Sequence, residues 1–343
     1  MILPYRTRRF LRGLAITALS LVLVLIIAWL VWLLWLDRYV VYTRDGAVLD
    51  FNLSDQIEPG EIALPPEEDV TVSIYYNEGD NVLNISTELS QLAGYYIDGD
   101  MLEKEMSTVL SQLKKLPPQT PVLVEMKDIV GRFFFQTNLG PVRSSLDQNS
   151  MNELMRVLKL SDFYLIAKFP ALRDYYYGLD HVNDGIFLKS GKGLWMDDSR
   201  CYWLNPQSEG TLSYIIQTVT ELKQMGFNEV VLGDFAIPTS ENIKFSGNRN
   251  EILSAAAKKI LEACGTDRFA VSFCVASAGL TLPEGRTRLY IEDQSASDIK
   301  TLSEEAALTD PAVKLVFITD LNDTRFDDYG VLRPLNTAQL EED

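Results

Sequence analysis

Histidine is almost missing: His181 alone stands in the chain, within the polar loop Asp180-His-Val-Asn-Asp-Gly185. A Ser-His-Asp or Cys-His catalytic arrangement would have to use this one residue, and zinc sites with several histidine ligands are excluded. Its polar setting reads as that of a loop residue. Cysteine is nearly as scarce. Cys201, Cys264 and Cys274 show no metal-ligand spacing, and their odd number leaves at least one unpaired within the chain, so no disulfide framework is implied. Cys264 closes a helical pattern and Cys274 sits in an apolar run, where a thiol acts as a small buried hydrophobe. No glycine-rich phosphate loop follows any expected strand, which disfavours a nucleotide site of the Rossmann or P-loop kind. No cofactor is expected and no metal site is demanded, although carboxylate clusters could hold Ca²⁺.

Charge itself is absent from Leu14 to Leu36. An apolar run of about 20 residues suffices to cross a bilayer as a helix. Arg6, Arg8, Arg9 and Arg12 precede the run, so the positive-inside rule places the N-terminus in the cytoplasm and the remainder outside. A cleaved signal peptide would end in small residues, whereas Trp29, Trp32 and Trp35 lead into Asp37-Arg38. The segment is therefore expected to be an uncleaved signal anchor in a single-pass cell-membrane protein. Setting aside its four arginines from the 31 basic residues leaves 27 against 48 acidic ones, a formal charge of −21 for the outer part. Such a surface opposes a polyanion, so nucleic acid is not the partner.

The chain divides into a cytoplasmic tail (1–13), the anchor (14–36), a β-element and linker (37–91) and a larger domain (92–343). Tyr39–Thr43 and Ala47–Phe51 flank Arg44-Asp-Gly46, a hairpin signal, because glycine tolerates the positive φ of the turn. Glu58-Pro-Gly60 and Pro65-Pro-Glu-Glu-Asp69 read as linker, and Val70–Tyr75 as a further strand. From residue 92 short apolar runs alternate with amphipathic helical patterns. Strands are expected near 92–97, 121–126, 162–168, 229–234, 269–275, 288–292 and 313–319, and helices near 99–116, 149–160, 208–225 and 250–264. Pro117-Pro118 and Gly226 stop two of these helices. Apolar strands alternating with helices imply parallel pairing through crossover connections. A (β/α)8 barrel takes about 250 residues. The expected fold is α/β, a (β/α)8-type TIM barrel with one weak or missing element, in preference to an open doubly wound sheet; the tail from Arg325 is left as a source of an eighth strand.

Barrel chemistry sits at the C-terminal ends of the strands and in the loops after them. Those ends carry Asp98, Glu125, Lys127, Asp128, Lys168, Asp174, Asp234, Glu292, Asp293, Asp320 and Asp323. The rim is dominated by carboxylates. A long loop after the third strand adds Tyr175-Tyr-Tyr177, Trp195, Asp197, Tyr202 and Trp203. Aromatic faces beside carboxylates suit a sugar, whose C–H faces stack on rings while its hydroxyls exchange hydrogen bonds.

Several blocks, in order, resemble the putative glycosyl hydrolase domain family of bacterial proteins, related in architecture to alpha-amylase-like barrels. They are Val124-Glu-Met-Lys-Asp128, Leu165-Ile-Ala-Lys-Phe169 with Asp174, Gly193-Leu-Trp-Met-Asp197, Trp203-Leu-Asn-Pro206, and Gly226-Phe-Asn-Glu229 running on to Pro238. Together they cover roughly half of the outer domain. Two departures stand out. Ala236 replaces the family's usual arginine, and Lys168 replaces another, keeping the charge but losing the planar fork. Read one residue earlier, Gly233 takes the acid's place.

The resemblance implies glycoside hydrolysis by two carboxyl groups, one protonated and one ionised. Asp234 is the first candidate for the ionised group, with Glu125 or Glu292 as partner. Asp98, Lys127, Asp128, Lys168, Asp174, Trp195, Asp197, Tyr202 and Trp203 are the expected substrate-binding residues, and a polysaccharide or cell-wall glycan the expected partner. Two alternatives stay open: a glycan-binding pseudoenzyme without turnover, and a structural protein of the cell envelope.

Overall fold

The computed structural model describes residues 40–43, 46–49, 88–276 and 279–337, together with the isolated helical positions Leu25 and Trp29. Apart from those two positions the expected span 14–36 lies outside the described residues, as do the tail 1–13, the linker motifs at 58–60 and 65–69, and the expected strand Val70–Tyr75. Among the described residues no helix is long and apolar enough to cross a membrane. The chain forms two compact units, Met1–Asp80 and Asn81–Asp343. In the first, Val40–Thr43 pairs antiparallel with Gly46–Leu49, with Thr43 opposite Gly46.

The second unit is a closed barrel of eight parallel strands. They are β1 (Ala93–Ile97), β2 (Pro121–Glu125), β3 (Tyr164–Pro170), β4 (Glu229–Gly233), β5 (Ala270–Cys274), β6 (Leu289–Glu292), β7 (Leu315–Ile318) and β8 (Gly330–Pro334). Each pairs with its successor in the chain, and β8 closes on β1. No element is missing: β8, with the sequence Gly-Val-Leu-Arg-Pro, is the strand that the expectation of an incomplete barrel lacked. Its first residue must be small, because a Cβ at Gly330 would lie 2.8 Å from the Val316 side chain. Gly94 is tighter still, with the Pro121 carbonyl oxygen 2.1 Å from where a Cβ would sit.

Side chains alternate across each strand, so one set fills the barrel and the other meets the helices. Leu123, Ile166, Val231, Cys274, Tyr290, Val316 and Leu332 form the interior cluster. The alternate set, including Val122, Val124, Leu165, Val230, Phe273 and Phe317, packs with helix residues such as Leu154, Ile215 and Ile260. Below the apolar interior layer lies a polar floor. The Arg288 guanidinium pairs with Glu229, both fully buried. Glu229 also accepts from Tyr164 Oη at 2.9 Å, Ser272 Oγ at 2.5 Å and Tyr290 Oη at 3.0 Å.

The principal helices are α1 (Gly99–Lys104), α2 (Met106–Leu113), α3 (Gln148–Leu160), α4 (Tyr175–Asp180), α5 (Glu209–Gln224), α6 (Arg249–Cys264) and α7 (Ile299–Ala306). The single helix expected over 99–116 is broken at Glu105, whose backbone leaves the helical region at φ −127°. Side-chain oxygens of Asp98, Asp147, Asp174, Ser208 and Asn248 accept amide hydrogen bonds at the starts of α1, α3, α4, α5 and α6. Such caps satisfy donors that a helix leaves unpaired in its first turn.

Candidate active site at the barrel mouth

Period-two alternation carries a few polar side chains to the top of the interior. One step above Leu123, Ile166 and Tyr290 stand Glu125, Lys168 and Glu292, on the same face of β2, β3 and β6. The Lys168 ammonium lies between the two glutamates, paired with Glu292 and, at 3.3 Å, with Glu125 Oε1. Glu125 Oε2 accepts a hydrogen bond from the Gly99 amide at 2.9 Å. Burial would push the Lys168 ammonium down, but the Glu292 and Glu125 charges outweigh it and raise its proton affinity above that of a free lysine. Beside them the Cys274 thiol is raised well above its ordinary value by burial and then by the Glu292 charge, so it remains protonated. It behaves as the small buried hydrophobe expected from the sequence.

Asp234 follows β4 in the left-handed region, at φ 46°. Its side chain keeps 30% exposure. Burial pushes its carboxyl above the ordinary carboxylate range, Arg173 and Lys168 oppose the shift, and the charges of Glu292 and Asp197 add to it. Arg173 comes from the segment after β3. Its Nη1 is 3.7 Å from Asp234 Oδ1 and its Nε is 2.7 Å from Asp197 Oδ2. Asp197 accepts hydrogen bonds from Trp203 Nε1 at 3.0 Å and from the Cys201 amide at 2.9 Å. Although burial opposes it, the Cys201 amide, Trp203 indole and Arg173 guanidinium hold the Asp197 carboxyl below its ordinary value. The guanidinium lies 5.7 Å from the Trp203 ring centre.

Two residues of this site escape the sequence reading. Arg173 lies beyond the end of β3, where no strand periodicity marks it; only its place beside Asp174 in a long loop could have drawn notice. Tyr96 reads as an ordinary core aromatic, yet on β1 it packs against the interior cluster near the mouth. Its phenol is pushed up to about 12, by burial first and then by the charges of Asp98, Asp320, Asp293 and Glu292. It can therefore serve only as a neutral donor or acceptor at ordinary pH.

Of the other expected residues, the structure brings some to the rim and draws others below it. Lys127 and Asp174 are buried and paired at 2.9 Å, so they are corrected from substrate contacts to loop supports. Asp174 also accepts from Tyr214 Oη at 2.9 Å and from the Tyr177 amide at 2.8 Å. Asp128 is occupied in its own loop, accepting from the Val130 and Arg132 amides and from Arg132 Nε. Asp98 caps α1 through Oδ1, 2.8 Å from the Met101 amide. Tyr202 stacks on Tyr175 with ring centres 5.4 Å apart, while Trp195 packs partly buried against the main core. Among the described residues no group of three or more histidine, cysteine, aspartate or glutamate side chains is arranged to hold a metal ion.

This architecture can be set beside known proteins. The galactosidase domain of an alpha-galactosidase–sucrose kinase superposes with a TM-score of 0.52 at 10% identity, over 73% of this chain and 38% of that one. A variant of the glycoside hydrolase domain of PelA from Pseudomonas aeruginosa gives 0.45 at 12% identity, over 74% and 98%. A hypothetical protein from Ruminiclostridium thermocellum gives 0.44 at 15%, over 57% and 96%. At such identities the first likeness supports the barrel fold and nothing finer. No curated protein matches the chain. A profile match over residues 95–266, half of the chain, shows that it belongs to the putative glycosyl hydrolase domain family.

Proposed function

We propose that the barrel hydrolyses glycosidic bonds of a polysaccharide or cell-wall glycan, held outside the cell membrane by the apolar segment 14–36. One observation carries the hydrolytic reading: Asp234 and Glu292 stand at one barrel mouth in opposed environments. Burial favours the protonated form of Asp234, whereas Glu292 is an ion-pair partner of Lys168. Pairs of carboxyl groups divided in this way suit an acid and an ionised partner. The assignment reverses the sequence expectation for Asp234. Protonated Asp234 donates to the glycosidic oxygen as the bond to the anomeric carbon breaks; Glu292 attacks that carbon or takes a proton from the water that does. Tyr96 donates a hydrogen bond to a sugar hydroxyl, and the Tyr175–Tyr202 stack and Trp203 offer aromatic faces to the ring.

A second reading, glycan binding without turnover, is favoured by Lys168, which occupies both glutamates, and by Ala236 in place of the family's usual arginine. The two separate in a screen of the full chain, in detergent, against polysaccharides and cell-wall glycans, measuring released reducing ends alongside binding. Release that Glu292→Gln abolishes supports hydrolysis; retention of a glycan by both proteins with no release supports the binding module. Attachment is tested separately: deleting 14–36 should release the protein from the membrane fraction, and continued sedimentation with membranes would contradict the anchor.

A further inference from the structure

We infer that Arg173 is a positioning residue for Asp234, a guanidinium from the neighbouring loop set to act on this carboxyl by its charge and without a hydrogen bond. The inference rests on reading Asp234 as the acid.

The guanidinium is anchored before it meets Asp234. Its Nε lies 2.7 Å from Asp197, and Asp197 is itself held by the Trp203 indole and the Cys201 amide. A backbone bridge between Arg173 and Trp203 joins the same two segments. Arg173 is thus ion-paired with Asp197 by proximity, its Nε–H not aligned for a hydrogen bond, and Nη1 is left at 3.7 Å from Asp234 Oδ1. That distance exceeds a hydrogen bond but lies well within the reach of a Coulombic interaction.

Asp234 has little other support. Among the described residues no group donates a hydrogen bond to its carboxyl, so its oxygens stay available to a proton and a leaving group. Lys168, Glu292, Asp197 and the Cys274 thiol are the other titratable groups around it. Of these only Lys168 is, like Arg173, a cation, and it is already divided between Glu125 and Glu292. Ala236, two residues past Asp234, brings none, and Phe235 between them is fully buried. Arg173 is therefore the cation least committed to other mouth carboxylates, set close enough to bias the acid without locking it.

An opposite charge within about 4–6 Å lowers a carboxyl by roughly 1–3 pH units, and the partial exposure here favours the lower end. The test is a titration of the full chain in detergent, carrying ¹³C at the aspartate carboxyl carbons, with Asp234→Asn assigning the resonance. In Arg173→Met the Asp234 midpoint should move upward by about 1 pH unit, and Arg173→Lys should restore part of the difference. Arg173→Gln, neutral but able to hydrogen-bond Asp197, should move it in the same direction if the methionine variant fails to fold. An unchanged midpoint in a folded neutral variant overturns the inference. The readout is independent of turnover. A moved midpoint in a protein that cleaves no glycan upholds Arg173 and sinks the hydrolytic reading; cleavage with an unmoved midpoint does the reverse. Where cleavage occurs, the alkaline limb of its pH profile should move upward with the midpoint.

Discussion

Replacing Arg288 by methionine should reveal how the barrel is held beneath its mouth. The guanidinium pairs with Glu229, donates from Nη2 to the Ser90 carbonyl at 2.8 Å and from Nε to the Val313 carbonyl at 3.1 Å. Methionine fills much of the volume but leaves Glu229 with three neutral donors and no counter-charge. Breaking a buried pair by removing one partner costs about 3–5 kcal/mol, because a desolvated charge remains. For a domain of this size each kcal/mol moves the midpoint by about 2–4 °C, so a fall of about 6–20 °C is expected. Thermal unfolding of the full chain in detergent, followed by near-ultraviolet circular dichroism, measures it. A companion double variant, Arg288→Met with Glu229→Leu, removes both charges and should recover most of the loss, since apolar replacement of a whole buried pair is often neutral. A fall of less than about 2 °C in the single variant, or a double variant no better than the single, would refute the argument that the floor is an energetically coupled ion pair.

Asp234 should also make stability depend on pH. Its folded carboxyl is raised by burial above the ordinary value of 3.8, so the folded chain binds the proton more tightly than the unfolded one. The resulting stabilisation is fully present below 3.8 and is lost as pH rises through the folded value. Asp234→Asn should therefore melt higher than the parent at neutral pH, with the gap closing in acid; a parent more stable at neutral pH would oppose this. Tyr96→Phe should lower turnover while leaving the pH profile unchanged at neutral pH, because burial pushes its phenol up to about 12. A new limb between pH 6 and about 10 in the parent that disappears in the variant would contradict that assignment.

Much of the barrel was visible in the sequence because its strands are apolar on both faces and its helices carry regular stripes. Seven expected strands overlap β1 to β7, and the helices expected at 208–225 and 250–264 coincide closely with α5 and α6. β8 was obscured by its composition and not by its length, which equals that of β1 and β2: Gly330 and Pro334 bound it, Arg333 interrupts its apolar run, and an acidic 3₁₀ turn precedes it. α7 was also overlooked, since Lys300, Glu304 and Glu305 leave only Ile299, Leu302 and Ala306 to form its buried stripe. The candidate site was legible where alternation governs it. Glu125, Lys168 and Glu292 reach the mouth because each follows an interior residue by two. Lys127 looked equivalent, two residues beyond Glu125, but it lies past the strand's end, where Phe133, Phe169 and Tyr214 enclose its ammonium beside Asp174. Arg173 and Asp197 could not be brought together from their spacing, because their contact depends on the path of a long loop and not on any periodic element.

Whether Asp234 is the acid of a working hydrolase is decided by comparing the reducing ends released from a glycan panel by the full chain and by Asp234→Asn, with glycan retention measured on the same samples. Loss of a general acid costs typically about 10²–10⁴-fold. A loss of that size, with glycan still retained, is the predicted result. Equal release by both proteins, or retention without release by either, would contradict it.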